Sequence, residues 1–419
     1  MPTKSRLFIT GGVPLQGTVV SSGAKNAALP ILAACILVKG QYTIKNVPPL
    51  KDVMTMLKML NSLGVRAELI QGNGVMIIND RKIRHIAPYE LVTAMRASFF
   101  VAGPILARTG FAKVPLPGGC AIGTRPIDIH LKGFKSMGVD ISVEHGFVQM
   151  LTQQLTGARI YLDFPSVGAT ENVMMAATLA VGTTIIENAA QEPEIIDLAN
   201  FLNSAGASVK GAGTSTITIE GQSELRGQNY AIIPDRVEVG TLMIAAAITK
   251  GDVFIEGAYA DHIEPLIRKL KEAGASIDVH NNGIRVYGGN ELNSVDIETM
   301  PFPGFPTDMQ AQFMSLLCVA SGTGIVTETI FENRFMHVNE LIRMGANIRV
   351  DQRQAIIQGV GQLYGAEVKI TDLRAGAALI LAGLAASGKT SVYGLEHLIR
   401  GYHDLPNKLQ SLGANITSQ

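Results

Sequence analysis

A cysteine in a loop of glycine and proline is the first residue whose surroundings suggest chemistry. The segment KVPLPGGCAIGTRP carries Cys120 among Gly118, Gly119 and Gly123, with Arg125 shortly after. Such a segment cannot form a core helix or a central strand, so it is predicted to be an ordered but mobile loop. Positive charge nearby lowers the pKa of a thiol, which would suit Cys120 to carry a proton or act as a nucleophile. The alternative interpretation is a small residue that fills a tight turn.

The other two cysteines indicate core packing and a compartment. Cys35 and Cys318 each lie in an apolar stretch with helical character, which is typical of a buried, inert thiol. An odd and sparse set without zinc-ligand spacing argues against a disulfide framework and for a reducing environment. The N-terminal segment MPTKSRLFIT has no apolar signal core, and the longest apolar run, residues 27–38, is too short to span a membrane. We therefore expect a cytoplasmic protein without a metal.

Basic residues occur where helices disfavour them. Lys25, Arg96, Arg236 and Arg374 lie at or near the predicted N-termini of apolar helices. The N-terminal end of a helix carries partial positive charge, so a cation there is unfavourable by roughly 0.3–1 kcal/mol. An anion bound nearby would reverse that sign. Pairing with surface carboxylates is the alternative for any one of them, but their recurrence favours an anion site.

Three further arginines precede or follow predicted helices. Arg125 comes directly before Pro126, which is expected to open the helix PIDIHLKGFKSMG. Arg334 lies in ENRFMH before the helix VNELIRMG, and Arg400 lies in HLIRGYHDL. Because arginine can grip phosphate or carboxylate through two parallel hydrogen bonds, these positions strengthen the case for an anionic ligand.

Two aspartates allow either a structural or a chemical interpretation. Asp308 in PGFPTDMQ and Asp372 in ITDLRAG each stand directly before an apolar helix. Capping the helix is the commonest use of aspartate there, and the sequence alone favours it. A carboxylate among cations could instead serve as a base, so Asp308 remains open between the two.

These residues sit in a chain that repeats itself. A helix end followed by alternating residues recurs at Gly64, Gly138, Gly206, Gly274, Gly345 and Gly413, with gaps of 74, 68, 68, 71 and 68 residues. An apolar helix ends before each of them, near Gly40, Gly110, Gly182, Gly251, Gly322 and Gly388. Two markers that keep one spacing six times indicate an internal repeat. The gap between the two markers is longest, 28 residues, in the repeat that holds Cys120, which suggests a lid.

Each repeat is predicted to contain the same elements in the same order. An apolar helix such as AALPILAACILV should be buried on all sides, and an amphipathic helix such as IEPLIRKLKEA should face solvent. A β-rich stretch separates the helices, and two short strands close the unit, as in ASIDVHNNGIRVYG with its Asn-Asn-Gly turn. At 419 residues, the six units group most simply as two domains of three.

The overall charge excludes some classes of partner. The chain has 35 Lys and Arg against 35 Asp and Glu, so no net field attracts nucleic acid or an acidic membrane. We expect no nucleic-acid, membrane or obligate protein partner. An anion site must then arise from local clustering of cations.

Taken together, the segments resemble the UDP-N-acetylglucosamine 1-carboxyvinyltransferase family of enolpyruvyl transferases over essentially the whole chain. The matching segments are SGAKNAALPI, APYELVTAMRAS, LPGGCAIGTRPIDIHL, SVGATENVMMAAT, PDRVEVGT, PTDMQAQF, ENRFMHVNELIRMGA, TDLRAGAALILAG and RGYHDLPNKL. The Pro-Gly-Gly-Cys loop is the specific element, because the related shikimate-pathway enzyme lacks it.

The resemblance implies a fold and a reaction. The fold is α/β, with two inside-out barrel-like domains of three βαβαββ repeats, one covering 22–232 and the other 1–21 with 233–419, and the active site in the cleft between them. The reaction moves the enolpyruvyl group of phosphoenolpyruvate to the 3′-hydroxyl of UDP-N-acetylglucosamine and releases phosphate, without a cofactor. It is the first committed step of peptidoglycan precursor synthesis and the target of fosfomycin.

The resemblance also implies roles for individual residues. Cys120 would be the general acid, and Asp308 would accept the proton of the attacking hydroxyl. The residues implied to lie in or around the phosphoenolpyruvate site are Lys25, Asn26, Arg125, Arg334, Arg374 and Arg400. Those implied for the UDP-sugar are Arg96, Arg125, Pro126, Ile127, Asp128, Ile129, Ser166, Val167, Gly168, Asp308 and Ile330. Some family members have a lysine where this chain has Phe164, which puts one contact to the diphosphate in doubt.

Three other functions compete with this one. The shikimate enzyme is the nearest, and the Cys120 loop argues against it. A non-catalytic sugar-nucleotide-binding paralogue would need no proton carrier. An RNA-end-processing enzyme of related architecture would want a basic surface, which a net charge of zero does not provide.

Overall fold

The computed structural model describes residues 6–117, 127–289 and 291–418. Within these ranges the chain divides into two compact units, each with its own apolar core. One unit, here called the Cys35 unit, comprises the described residues from Gly23 to Ile233. The other, the Cys318 unit, comprises those up to Ser22 and from Pro234 onward.

The strands are short and numerous. They are β1 Leu7–Thr10, β2 Gln16–Val20, β3 Val38–Lys45, β4 Arg66–Ile70, β5 Gly74–Asn79, β6 Phe111–Pro115, β7 Asp140–Glu144, β8 Phe147–Leu151, β9 Arg159–Tyr161, β10 Thr183–Glu187, β11 Ser208–Lys210, β12 Thr216–Glu220, β13 Leu225–Arg226, β14 Tyr230–Ala231, β15 Asp252–Glu256, β16 Ser276–His280, β17 Gly283–Tyr287, β18 Ile297–Glu298, β19 Thr323–Thr327, β20 Asn347–Asp351, β21 Gln354–Gln358, β22 Glu367–Lys369, β23 Lys389–Tyr393 and β24 Asn415–Ser418.

The helices alternate between buried and amphipathic. They are α1 Lys25–Ala34, α2 Lys51–Leu63, α3 Tyr89–Ala94, α4 Ala102–Thr109, α5 Asp128–Ser136, α6 Val167–Ala177, α7 Pro193–Ser204, α8 Arg236–Ile248, α9 Glu264–Glu272, α10 Gln310–Val319, α11 Val338–Arg343, α12 Leu373–Ala385, α13 Leu395–Leu398 and α14 Leu405–Ser411. Short 3₁₀ helices cover Arg96–Val101, Ala260–His262 and Thr307–Met309.

The strands form six sheets within the described residues. In the Cys318 unit the strand orders are β2-β15-β17-β16, β18-β19-β21-β20 and β22-β23-β1-β24. In each, the first two strands are parallel and flank a buried helix, and the rest are antiparallel. The Cys35 unit has β9-β10-β12-β11, β6-β8-β7, and β13-β3-β5-β4 with β14 also paired to β3. This is the predicted βαβαββ repeat, except that the sheet β6-β8-β7 has only the parallel bridge between Ile86 and Lys113 in place of a first strand. The last repeat of the Cys318 unit is completed by β1 from the start of the chain.

The apolar helices form the centre of each unit, as the sequence predicts. In the Cys318 unit α8, α10 and α12 pack against one another, and nearly all of their side chains are buried. In the Cys35 unit α1 and α4 both pack against α6, which is buried along most of its length. A helix that is apolar on every face is stable only when other elements cover all of them, so the sheets lie outside.

The second helices of the repeats expose one face to solvent, to differing extents. α9 buries only Leu266, Ile267 and Leu270 and exposes its charged face. In contrast, α7 has eight of its 12 residues buried and exposes only the face of Ile196, Asn200, Asn203 and Ser204. The reason is that α7 packs against both α1 and α6 of the core.

The repeat glycines mark turns that need a left-handed backbone. All of the marker glycines have positive φ except Gly251, where Lys250 takes that conformation at φ 55°. The Asn-Asn-Gly turn between β16 and β17 is present as predicted. No helix among the described residues is long and apolar enough to span a membrane.

Candidate active site

Asp308 lies between two buried arginines of the Cys318 unit. Its Oδ1 accepts a hydrogen bond from Arg334 Nη2 at 2.6 Å, and its Oδ2 accepts one from Arg374 Nη2 at 2.6 Å. The two arginine side chains are only 4% and 5% exposed. The structure therefore joins three residues that the sequence singles out separately.

The interpretation of Asp308 as a helix cap is wrong. Asp308 lies in the 3₁₀ helix Thr307–Met309, and α10 begins only at Gln310 without a side-chain cap. The carboxylate forms charge-assisted bonds with two guanidinium groups instead of accepting from the backbone N–H groups at the start of α10. The matching interpretation of Asp372 is confirmed, since its carboxylate accepts from the backbone N–H groups of Arg374 and Ala375 at the start of α12.

The arginine pair controls the ionisation of Asp308. Burial by itself raises the pKa of this carboxyl, but the charges and hydrogen bonds of Arg374 and Arg334 outweigh it. The pKa of Asp308 is consequently well below its ordinary value. Asp308 is therefore an anion at any physiological pH, and the three groups carry a net single positive charge.

A second carboxylate supports this cluster from behind. Arg334 Nη1 donates to Thr307 Oγ1 at 2.8 Å, and Thr307 Oγ1 donates to Glu328 Oε2 at 2.9 Å. The other oxygen, Glu328 Oε1, accepts from Thr299 Oγ1 at 2.9 Å and from the backbone N–H groups of Ile330 and Phe331. Glu328 is 1% exposed. Glu328 thus fixes both the Thr307 hydroxyl, which accepts from Arg334, and the backbone at Ile330.

Sequence reasoning missed Glu328 and Thr307. The only available signals were an acidic residue directly after the strand β19 and a hydroxyl next to Asp308. Neither is specific, because the contacts join residues 21 and 29 positions apart.

Arg374 rests on an aromatic ring. Its guanidinium carbon lies 5.5 Å from the centre of the Tyr402 ring. The Tyr402 hydroxyl is 2.9 Å from Thr241 Oγ1 and accepts from Gln312 Nε2 at 2.9 Å. Because these hydrogen bonds hold the Tyr402 ring in place, the ring restricts the rotamers of Arg374 and orients its guanidinium group. Arg400, also predicted for this site, lies half-buried in the turn after α13 of the same unit.

Lys25 and Asn26 open the buried helix α1 of the Cys35 unit. Lys25 Nζ lies 3.4 Å from Asp52 Oδ2, and both residues are buried. The alternative of a surface ion pair is wrong for Lys25, because its partner is buried with it. Asp52, in the first turn of α2, was not singled out by the sequence, where it looks like an ordinary helix-start acid.

The residues predicted for the UDP-sugar lie at three helix starts of this unit. Arg96 begins the 3₁₀ helix Arg96–Val101, and Ile127 stands directly before α5, which begins with Asp128 and Ile129. Ser166 caps α6 by accepting from Ala169 N at 3.3 Å. Val167 and Gly168 then form the first turn of α6. Asp308 and Ile330, predicted for the same ligand, belong to the Cys318 unit.

Cys120, Arg125 and Pro126 lie outside the described residues. Cys35 and Cys318 are buried, free thiols, as predicted for core packing. Among the described residues, no group of three or more His, Cys, Asp or Glu side chains is arranged to hold a metal ion.

Known proteins match this chain over nearly its full length. The family model for EPSP synthase (3-phosphoshikimate 1-carboxyvinyltransferase) matches residues 9–409. The UDP-N-acetylglucosamine 1-carboxyvinyltransferase 1 of Caldanaerobacter subterraneus subsp. tengcongensis is 55% identical over 99% of both chains. The corresponding protein of Gloeobacter violaceus is 53% identical over 99% of this chain and 90% of its own length.

Solved structures of enolpyruvyl transferases have the same fold as this chain. The enolpyruvyl transferase NikO from Streptomyces tendae has a TM-score of 0.90 at 26% identity, covering 100% of this chain and 99% of its own. EPSP synthase from Acinetobacter baumannii has a TM-score of 0.80 at 20% identity, covering 100% of both chains, and shares the fold. The chain therefore belongs to the enolpyruvyl transferase family, within its group of UDP-N-acetylglucosamine 1-carboxyvinyltransferases.

Proposed function

We propose that this chain transfers the enolpyruvyl group of phosphoenolpyruvate to the 3′-hydroxyl of UDP-N-acetylglucosamine and releases phosphate. The observation that carries the proposal from the structure is Asp308 held between Arg334 and Arg374. A carboxylate that can take a proton stands there beside two cations that can hold an anion. Relatives that are 53–55% identical over nearly the whole chain bear the name of this activity.

The two substrates are strongly anionic, which suits the cations of this chain. In the proposal Lys25, Arg125 and Arg400 bind phosphoenolpyruvate, with Asn26, Arg334 and Arg374 around them. The UDP-sugar is bound by Arg96, by Ile127 to Ile129 and by Ser166 to Gly168. Fixed cations of this kind stabilise charge in the transition state without reorganising.

The reaction proceeds by addition and elimination. Cys120 gives a proton to C3 of phosphoenolpyruvate, which leaves C2 electron-poor. The sugar hydroxyl adds to C2 and its proton passes to Asp308. In the elimination, the C3 proton of the tetrahedral adduct returns to the Cys120 thiolate, the C2–O bond to phosphate breaks, and the departing phosphate takes the proton held by Asp308. The double bond is restored, and both residues regain their starting protonation.

The arginine pair can make the basicity of Asp308 depend on whether substrate is bound. Without substrate, both oxygens of Asp308 are bound by guanidinium groups, which keeps its pKa well below the ordinary value. A substrate anion that shares these guanidinium groups would weaken their hold on the carboxylate. The pKa of Asp308 would then rise toward a value better suited to accept the hydroxyl proton.

The test is to incubate the protein with both substrates and identify the nucleotide product by mass spectrometry. We expect UDP-N-acetylglucosamine to gain one enolpyruvyl group. A second incubation replaces the UDP-sugar by 3-phosphoshikimate, the acceptor of the shikimate enzyme, and we expect no product. If 3-phosphoshikimate gave a product and UDP-N-acetylglucosamine gave none, the proposal would be overturned in favour of the shikimate enzyme.

A cytoplasmic setting is part of the same proposal. It is supported by the two buried free thiols, Cys35 and Cys318, which are typical of a protein made in a reducing compartment.

A further inference from the structure

Three separate stretches of the Cys35 unit carry the residues proposed for the UDP-sugar. They are the start of the 3₁₀ helix at Arg96, the start of α5 at Ile127 to Ile129, and the start of α6 at Ser166 to Gly168. Contacts from three helix starts to one ligand require that these starts keep fixed positions relative to one another, since misplacement by about 1 Å already costs rate.

Asn172 joins all three of these stretches. It lies on α6, one turn after Gly168, and its side chain is fully buried. Asn172 Oδ1 accepts from the backbone N–H of Gly103 at 2.8 Å. Asn172 Nδ2 donates to the carbonyl of Phe99 at 3.0 Å and to Nδ1 of His130 at 3.2 Å. Phe99 belongs to the 3₁₀ helix, and His130 belongs to the first turn of α5.

The orientation of this amide follows from its partners. The backbone N–H of Gly103 can only donate, and the carbonyl of Phe99 can only accept. The oxygen of Asn172 must therefore face Gly103 and its nitrogen must face Phe99. His130 Nδ1 then accepts the remaining N–H, so the ring proton sits on Nε2. Burial, followed by the charge of Arg96, lowers the pKa of His130 to about 3, which agrees with a neutral ring.

The His130 ring also touches the start of α6. Its edge packs against Phe99 with ring centres 5.3 Å apart. A Cβ atom at Gly168 would lie 3.3 Å from His130 Cε1, so the ring approaches the first turn of α6 closely. Asn172 fixes the position of the His130 ring through its hydrogen bond, and the ring in turn limits where Gly168 can lie.

We infer that Asn172 is a positioning residue of the sugar-nucleotide site, whose amide holds the three helix starts at Arg96, Ile127 and Ser166 in one arrangement. This inference rests on the proposed function, because it presumes that these helix starts bind the UDP-sugar. Asn172 itself is buried below them and acts through the backbone and through His130.

The test compares Asn172→Ala with Asn79→Ala in steady-state assays. Asn79 is a matched control, because it is 1% exposed in the same unit and its amide also donates to backbone carbonyls, those of Cys35, Ile36 and Val38. We expect both substitutions to lower the melting temperature. Only Asn172→Ala should raise the KM for UDP-N-acetylglucosamine, by about tenfold, because the three hydrogen bonds of its side chain are lost, with the KM for phosphoenolpyruvate unchanged.

A second variant, His130→Leu, and the wild-type protein separate the possible outcomes. If Asn172→Ala does not fold, His130→Leu removes the accepting nitrogen while keeping bulk, and it should raise the same KM by a smaller factor. If these variants lose thermal stability while the KM for the UDP-sugar stays at the wild-type value, the inference is overturned. Wild-type protein that forms no product would instead defeat the proposed function, so the two failures are distinguishable.

Discussion

Asp308 illustrates what residue types can and cannot predict. The sequence marks Asp308, Arg334 and Arg374 as candidates, but these residues are 26 and 66 positions apart, and no local pattern brings them together. The cap interpretation came from the local signal alone. The tertiary contact with two buried guanidinium groups prevails over it because each of those groups, once buried, must have a counter-charge.

Replacing Asp308 by asparagine should affect both stability and turnover. The change leaves two buried guanidinium groups side by side without their carboxylate, which should reduce the free energy of unfolding by about 3 kcal/mol. It also removes the proposed proton acceptor, so kcat should fall by about 10²–10⁴. Urea unfolding and steady-state kinetics with both substrates measure the two effects.

The control is Asp252→Asn, which removes the partner of Arg285 in an exposed pair of the same unit. That pair lies in solvent, so little change in stability or kcat is expected. Wild-type kcat in Asp308→Asn would contradict the proposed role of the carboxylate.

At the scale of elements, Glu328 connects the end of β19 with the 3₁₀ helix that carries Asp308. Its four hydrogen bonds set the backbone at Ile330 and the hydroxyl of Thr307, and that hydroxyl in turn holds Arg334. Displacement of this one side chain would therefore reach two residues proposed to contact substrate.

Glu328→Gln should lower kcat by about tenfold while the protein stays folded. The amide can replace only one of the two accepting oxygens, so either Thr307 or the backbone at Ile330 loses its partner. Melting temperature and steady-state kinetics measured together separate this effect from unfolding.

Glu340→Gln is the comparison for that change. Glu340 lies on α11 of the same unit and accepts from the backbone N–H of Lys369. It should leave kcat unaltered. Equal kcat values for the two variants would show that Glu328 has no special connection to the site.

The regular elements were predictable because their signals are local and recur. The glycine spacing gave the repeat, and the uniform apolarity of α8, α10 and α12 predicted helices buried on every face. The environment of α7 was not predictable, because its sequence resembles the other second helices while its neighbours α1 and α6 cover it. The role inferred for Asn172 was equally hidden, since it depends on partners 42 to 73 residues away.

At the scale of the whole molecule, the charges balance locally as well as globally. The sequence has equal numbers of basic and acidic residues, and the structure pairs Lys25, Arg334 and Arg374, the described cations proposed for the site, with Asp52 or Asp308. These aspartates therefore reduce the repulsion among the cations when no substrate is bound.

One buried carboxyl of α6 should make stability depend on pH. Glu171 is fully buried, and neither of its oxygens has a hydrogen-bond partner among the described residues. Burial, with the charges of Glu194 and Glu192, holds its pKa well above the ordinary value of 4.5. Above pH 4.5 the folded state binds more protons at this site than the unfolded state, so its contribution to stability is lost as pH rises through the folded pKa.

Glu171→Gln removes this dependence. Its melting temperature should exceed that of the wild type by a margin that is larger at pH 8 than at pH 5, because only the wild type must keep a buried proton or bury a charge. Differential scanning calorimetry of both proteins at pH 5 and pH 8 measures this difference in melting temperature. Melting temperatures that differ by the same margin at both pH values would show that the pKa of Glu171 is not raised in the folded protein.

The measurement that tests the central claim most directly is phosphate release by the wild-type protein. With phosphoenolpyruvate and UDP-N-acetylglucosamine together, we predict steady release of phosphate that matches the enolpyruvyl product in amount. With either substrate omitted, we predict none. Folded protein that releases no phosphate with both substrates present would contradict the account.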